Sequence, residues 1–335
     1  MLKHALAALL AASFSSTASA EAFPKTVSII VATAVNTGHD IYARLTARYL
    51  GDHLPGKPTI VPKTMIGAAG RKAAEYMANQ APADGSEILA VPPETLLAPL
   101  YESQRYTLDS FAQLGSALAG RQLCLSAPDS PVKKFTDTDL RTVTFGATAI
   151  DGAPTSYALM IRNLTRRDPE KTKIVLGYPS TREIFNAMER GEVDAMCGIE
   201  WSSLVGAMPQ WVYADHKANI LLQTSPTAHA PLPVWGDVPD MRDFMSPEAR
   251  RLAEFIVAQQ GMSRPYVVPA RTEASLAAVI REGLWSTWND PRVQEEARNM
   301  KLDILPVSAE HVERIISTYA SAPKELVANA LKAQR

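Results

Sequence analysis

Two short runs of small residues, Val35-Asn36-Thr37-Gly38-His39-Asp40 and Ile66-Gly67-Ala68-Ala69-Gly70, each stand where a strand-like segment gives way to a helix-like one. Small side chains let a ligand approach the backbone, and glycine opens dihedrals closed to other residues. Backbone N–H groups and the positive end of a helix dipole then suit an anion. Neither run is a phosphate loop, because no Lys-Ser/Thr pair follows at the required spacing. A plain Gly-Ala turn accounts for the same residues. No GxSxG elbow, HExxH or CxxC occurs, and His39, His53, His216, His229 and His311 are scattered without metal-ligand spacing. No catalytic residue, metal ligand or cofactor is nominated, and the chain is expected not to be an enzyme.

These runs need strands and helices to hold them. Val27 to Ala32 predicts a strand and Asp40 to His53 a helix, with Ile41, Tyr42, Leu45 and Tyr49 on one side. Thr59 to Val61 predicts a strand, Arg71 to Gln80 a helix and Ser86 to Val91 a further strand. The alternation resumes between about Arg121 and Ser225, with strands near Leu123, Val143, Ile174, Val193 and Ile220. Short links between strands and helices imply parallel strands covered on both faces. The run GYPSTREIFNAMERGEVDAMCGIEWSSL, from Gly177 to Leu204, condenses one such unit. Ser180 or Thr181 can cap a helix whose Ile184, Phe185 and Met188 share a face. Gly191 stops that helix, and Val193, Ala195 and Cys197 alternate as a strand does. Pro231, Pro233 and Pro239 interrupt regular structure and suit a return crossing between two lobes. A largely helical final third follows, expected to pack back onto the first lobe.

Composition narrows the classes further. Residues 1–20 read as an export signal, with Lys3 and His4 as the basic region, Ala5 to Ala12 as the apolar stretch and Ala18-Ser19-Ala20 as the cleavage site. A periplasmic protein cleaved near Ala20 is the expectation. Without Lys3 the formal net charge moves from −1 to −2. No basic run or aromatic-interleaved patch occurs, which disfavours nucleic acid and anionic membrane as partners. Cys124 and Cys197 leave two readings open: a disulfide, which an oxidising compartment permits, or two buried thiols on neighbouring strands.

The wording of these segments resembles the solute-binding component of tripartite tricarboxylate transporters, the Bug family. AVNTGHDIYAR is similar to the family's PGGGYDxYAR, and IGAAGRKAAEY to its PGAGG or PGAGS loop. GYPS…AMERGEVDAMCG is similar to GYPG…AMERGEVDG.CG. The resemblance continues to the ending LDILPVSAEHVERIISTYASAPKELVANA. It implies an α/β, two-lobed periplasmic-binding-protein-like fold of type II, each lobe a mainly parallel sheet flanked by helices. Residues 21–120 with 245–335 would form one lobe and 121–244 the other. The implied function is capture of a small organic acid between the lobes by a monomer, for delivery to permease subunits. A periplasmic ligand sensor acting on a membrane kinase or partner is the alternative, and a periplasmic enzyme the third reading.

Site residues follow from the same resemblance. Thr37, Gly38, Asp40, Gly67, Ala68 and Ala69 would form one cleft wall, with Asp40 capping a helix and orienting the loop. FGATAIDGAPTSYALM is similar to the family's vGasGpGSdt.yp segment, so Thr148, Ala149 and Gly152 would line the approach. Thr155 and Ser156 either cap a helix or reach the ligand, and Tyr178, Ser180 and Thr181 would face them. Glu200 stands where relatives read GWSWSSL and this chain reads GIEWSSL. It is either a solvated surface charge or a carboxylate at the cleft mouth that receives a ligand ammonium or hydroxyl and disfavours citrate-like tri-anions.

Overall fold

A computed structural model describes residues 23–150, 152–226, 231, 232 and 234–335. The export-signal reading, Asp151, His229 and Pro233 fall outside the described residues. In the first half β1 (Thr26–Val31), α1 (Gly38–Leu50), β2 (Thr59–Thr64), α2 (Arg71–Asn79), β3 (Glu87–Ala90), α3 (Pro93–Leu97) and β4 (Phe111–Ser116) succeed one another. The chain then runs through β5 (Gln122–Ser126), α4 (Asp137–Leu140), β6 (Val143–Gly146), α5 (Ala153–Leu164), β7 (Thr172–Val175), α6 (Thr181–Glu189), β8 (Ala195–Glu200), α7 (Trp201–Ala207), α8 (Gln210–Tyr213) and β9 (Asn219–Thr224). It closes with α9 (Pro247–Val257), β10 (Pro265–Pro269), α10 (Ala274–Asn289), α11 (Pro291–Asn299), α12 (Ala309–Ala320) and α13 (Lys324–Ala333).

The strands form two sheets of the same design, β2-β1-β3-β10-β4 and β7-β6-β8-β5-β9. In β1 every residue after Thr26 is buried, the continuous apolar run of a strand covered on both faces. β1 pairs in parallel with β2 and β3, as β6 does with β7 and β8. β10 runs antiparallel to β3 and β4, and β5 antiparallel to β8 and β9. The two-lobed α/β class with mainly parallel sheets therefore holds: in each sheet four strands share one direction, and only β10 or β5 opposes them, which makes the sheets mixed. The cause is connectivity: β5 and β10 each reach their sheet along a crossing from the other lobe, not through a βαβ turn.

The two crossings, residues 117–121 and 260–264, lie side by side. Ala117 N donates to Arg264 O at 3.0 Å, Ser263 N to Leu118 O at 2.9 Å and Gly120 N to Gln260 O at 2.8 Å. A third segment braces them, with Ala119 N donating to Leu305 O at 2.9 Å. The return crossing is thus not at the prolines. Pro239 stays beside β9, its carbonyl accepting from Gln223 N at 2.8 Å, and the Pro231 carbonyl accepts from Arg121 Nη1 at 2.9 Å.

The C-terminal third divides between the lobes. α10 and α12 pack on β4 and α11 on α1, as a return to the first lobe requires, but α9 and α13 pack on α5 of the second. Asn163 Nδ2 donates to Ala333 O at 3.1 Å, tying the last helix there. The 245–335 range is therefore shared between the lobes. One apolar cluster accordingly runs through both halves, from Ile30, Leu89 and Val267 to Phe145, Ala195 and Leu222. Cys124 and Cys197, both buried, form a disulfide that joins β5 to β8 with Cα atoms 3.9 Å apart. Among the described residues no helix is long and apolar enough to cross a membrane.

Candidate functional site

A cavity of about 850 Å³ opens between the two lobes, at the carboxyl ends of the parallel strands of the first. That is where an open α/β sheet places a ligand, because the loops and helix starts there point away from the core. After β1, Asn36 turns left-handed at φ 64° and Thr37 caps α1. The Thr37 hydroxyl donates to Ala34 O at 2.8 Å. Asp40 is fully buried: its carboxylate accepts from Asn36 N at 2.9 Å and from Arg44 Nε at 2.9 Å. It shapes the loop, as expected, but it does not line the cavity, and Thr37 is the cap.

The loop after β2 has the more unusual backbone. Gly67, Ala68, Ala69 and Gly70 have φ of 151°, 47°, 52° and 90° in succession. Gly70 N donates back to Gly67 O at 2.9 Å, and Thr95 Oγ1 donates to Ala69 O at 2.8 Å from behind. A side chain at Gly70 would press a Cβ to 2.9 Å from Thr95 Oγ1, so the close approach requires glycine. Among the described residues no acceptor meets the Ala68 and Ala69 amides. Two alanines held at positive φ cost conformational energy that the tied carbonyls offset. The result is a left-handed run lining the cavity beside the start of α2, with Ala68 and Ala69 exposed.

The opposite wall starts at α6, where Ser180 Oγ accepts from Glu183 N at 3.3 Å. Ser180, Thr181 and Glu200 line the cavity with Thr37, Gly38, Gly67, Ala68 and Ala69 of the first lobe. Thr148, Ala149, Gly152, Thr155, Ser156 and Tyr178 do not. Thr155 is buried and its hydroxyl donates to Ala149 O at 2.8 Å, so it ties α5 to the preceding loop; the cap position is Gly152, and no side chain caps this helix. A Cβ at Gly152 would fall 2.0 Å from Thr148 Oγ1, so these residues close on one another and not on the cavity. Ala153, Pro154 and Tyr157 of α5 and Gly198 of β8 form the wall in their place.

Glu200 is neither solvated nor free. It is 6% exposed, caps α7 by accepting from Ser202 N at 3.1 Å and from the Ser202 hydroxyl, and pairs with Arg264 Nη2 at 3.2 Å. The Arg264 guanidinium also lies 5.1 Å from the centre of the Tyr42 ring and donates through Nη1 to Ser263 O at 2.8 Å. One ion pair thus links the second sheet, a crossing and α1. A Cβ built on Gly38 would lie 3.3 Å from Ser203 Oγ, so the start of α1 touches α7 across the cleft.

Several lining groups have no motif around them. His39 is held neutral: burial foremost, then Arg264, keep its pKa well below 6.5 against a hydrogen bond with the Ser263 backbone. Among the described residues its Nε2 has no partner. Glu94, at the start of α3, has its pKa raised by burial, opposed by its own backbone amide and by Arg264. Gln122, Tyr157, Gln260, Ser263 and Arg264 complete the floor. The loop after β3 carries Glu94 at the third strand end, and its position in the alternation was the one available signal. Gln260 and Arg264 lie on a crossing, for which the local sequence has no marker.

No family model matches the chain, and no curated protein matches it. Solved structures do. The periplasmic binding protein BugD is 19% identical, with a TM-score of 0.65, over 92% of this chain and 97% of its own. MatC from Rhodopseudomonas palustris with bound malate is 18% identical with a TM-score of 0.61, over 90% and 98%. An R. palustris protein with adipate is 16% identical with a TM-score of 0.66, over 91% and 97%. Across nearly its whole described length, the chain has the fold of these periplasmic binding proteins.

Proposed function

We propose that this protein is an exported, periplasmic solute-binding protein of the tripartite tricarboxylate transporter type. It captures a small organic acid between its lobes and delivers it to membrane permease subunits as a monomer, without catalysing a reaction. The observation that carries this reading is the left-handed turn Gly67 to Gly70. Its Ala68 and Ala69 amides face a cavity with no acceptor of their own. Both residues are exposed, so their N–H groups are open to a ligand, and a carboxylate meets them with a charge-assisted bond. The malate and adipate bound by two structures of the same fold support that class of solute. The expected mechanism is closure: loop amides of the first lobe take the acid, and the α6 and α7 starts of the second complete the enclosure.

A thermal-shift screen over mono-, di- and tricarboxylates and aromatic acids tests the reading. A true ligand at a hundred times its Kd adds about 2.7 kcal/mol to the native state, so the melting temperature rises with concentration. Flat melting curves across the whole acid panel would sink it, and so would turnover of a bound acid.

A further inference from the structure

We propose, resting on the solute-binding reading above, that the cleft floor is an ammonium subsite. The solute it selects is then an amino acid or similar zwitterion, and not a plain carboxylate. The polar atoms that the protein leaves without partners on this floor are mainly acceptors. Glu94 lines the cavity and has no ion-pair partner among the described residues. Gln260 is 2% exposed, and among the described residues its Oε1 and Oε1 of Gln122 are unpartnered, with Arg264 Nε a buried lining donor left in the same state.

The orientation of the Gln260 amide follows from its neighbours. Thr224 Oγ1 donates to Gln122 O at 3.3 Å, so it must accept from Gln260 Nε2, which lies 3.0 Å away and also donates to the Tyr157 hydroxyl at 2.7 Å. The oxygen of Gln260 is therefore the free end. α3 packs on the crossing segment that carries Gln260, and Glu94 acts electrostatically on both Tyr157 and Arg264. Glu94 and Gln260 thus belong to one part of the floor.

An ammonium group is three N–H donors without an acceptor. It is the counterpart of a carboxylate and two amide oxygens that have no donors. Arg264 acts on Glu94 at a distance, but its ion-pair partner is Glu200 at 3.2 Å, and His39 is neutral. The cavity is divided, with N–H donors on the Gly67 to Gly70 turn and acceptors on the floor. A zwitterion offers donors to one end and acceptors to the other, whereas an acid without the amino group brings no donor to the Glu94 carboxylate, which is exposed in the cavity.

Matched pairs of acids decide the matter: propionate and alanine, succinate and aspartate, glutarate and glutamate, 3-phenylpropionate and phenylalanine, measured by calorimetry on the full chain. Within the skeleton that binds best, the amino member should bind at least tenfold more tightly. Glu94→Gln should remove that preference while leaving the amino-free member as tight or tighter, and Glu94→Asp, which retains the charge, should keep part of it. Unchanged melting of both unliganded variants separates this from misfolding. Equal affinity within pairs, or a preference untouched by Glu94→Gln, overturns the proposal but leaves the solute-binding reading in place. Malate matching aspartate overturns it too, since a hydroxyl would then suffice. Failure of every acid to bind the native protein overturns both.

Discussion

At the scale of single residues, Glu200 and Arg264 set the electrical character of the cleft. Each is nearly inaccessible, and each holds the other at 3.2 Å. Removing one partner of a buried pair leaves the other charge without compensation, typically at about 3–5 kcal/mol. Glu200→Ala is therefore expected to lower stability by about 3 kcal/mol, seen in chemical denaturation. Glu200→Gln should lose less, because its amide oxygen still accepts from Ser202 and Arg264. The same Gln variant leaves the Arg264 charge facing the cavity, so citrate should bind it more tightly than it binds the native protein. Unaltered citrate affinity would refute that role. Glu200 was legible as unusual from its place in GIEWSSL, but its partner was not, since 64 residues separate them. The Ser180 hydroxyl followed the local rule for helix starts, whereas Thr155 turned back to the loop carbonyl of Ala149 and caps nothing.

Among the elements, the alternation of strands and helices was readable because each is set by its own periodicity and end signals. The Gly177 to Leu204 unit shows this well. Ile184, Phe185 and Met188 are buried on one face of α6, and Gly191, at φ 71°, follows the helix end. The strand beyond starts at Ala195, two residues later than its alternation suggests, because Asp194 is occupied by Thr144 of β6. Strand direction at the centre of each sheet was not readable, because β5 and β10 enter by crossings and not by helical returns. The disulfide belongs to this scale, since it locks β5 to β8 across a sequence separation of 73. Constraining a loop of that length in the unfolded chain stabilises by roughly 2–5 kcal/mol. Reduction, or the double change Cys124→Ala with Cys197→Ala, should lower the melting temperature accordingly. Equal melting of the reduced and oxidised forms would contradict it.

Across the whole molecule, the proposed closure would be absorbed where the two crossings lie against each other. Gly120 is the tightest point: its N–H donates to Gln260 O at 2.8 Å and to Ser263 Oγ at 3.1 Å, and a Cβ there would meet Ser263 Oγ at 2.4 Å. Gly120→Ala should separate the crossings at a cost of about 1–3 kcal/mol and hold the lobes apart. The small-angle scattering radius with ligand present should then exceed that of the native complex, and an identical radius would count against a hinge at this point. α9 and α13 pack on α5 of the second lobe. By itself the sequence determined the strands and helices, the two loops of small residues and the resemblance that joins them, because those depend on residues close together in the chain. Only the tertiary structure decided which strands run antiparallel, that Glu200 is neutralised, and that Glu94, Gln260 and Arg264 share one floor. Those facts arise where remote segments meet, and no local pattern of residue types encodes such a meeting.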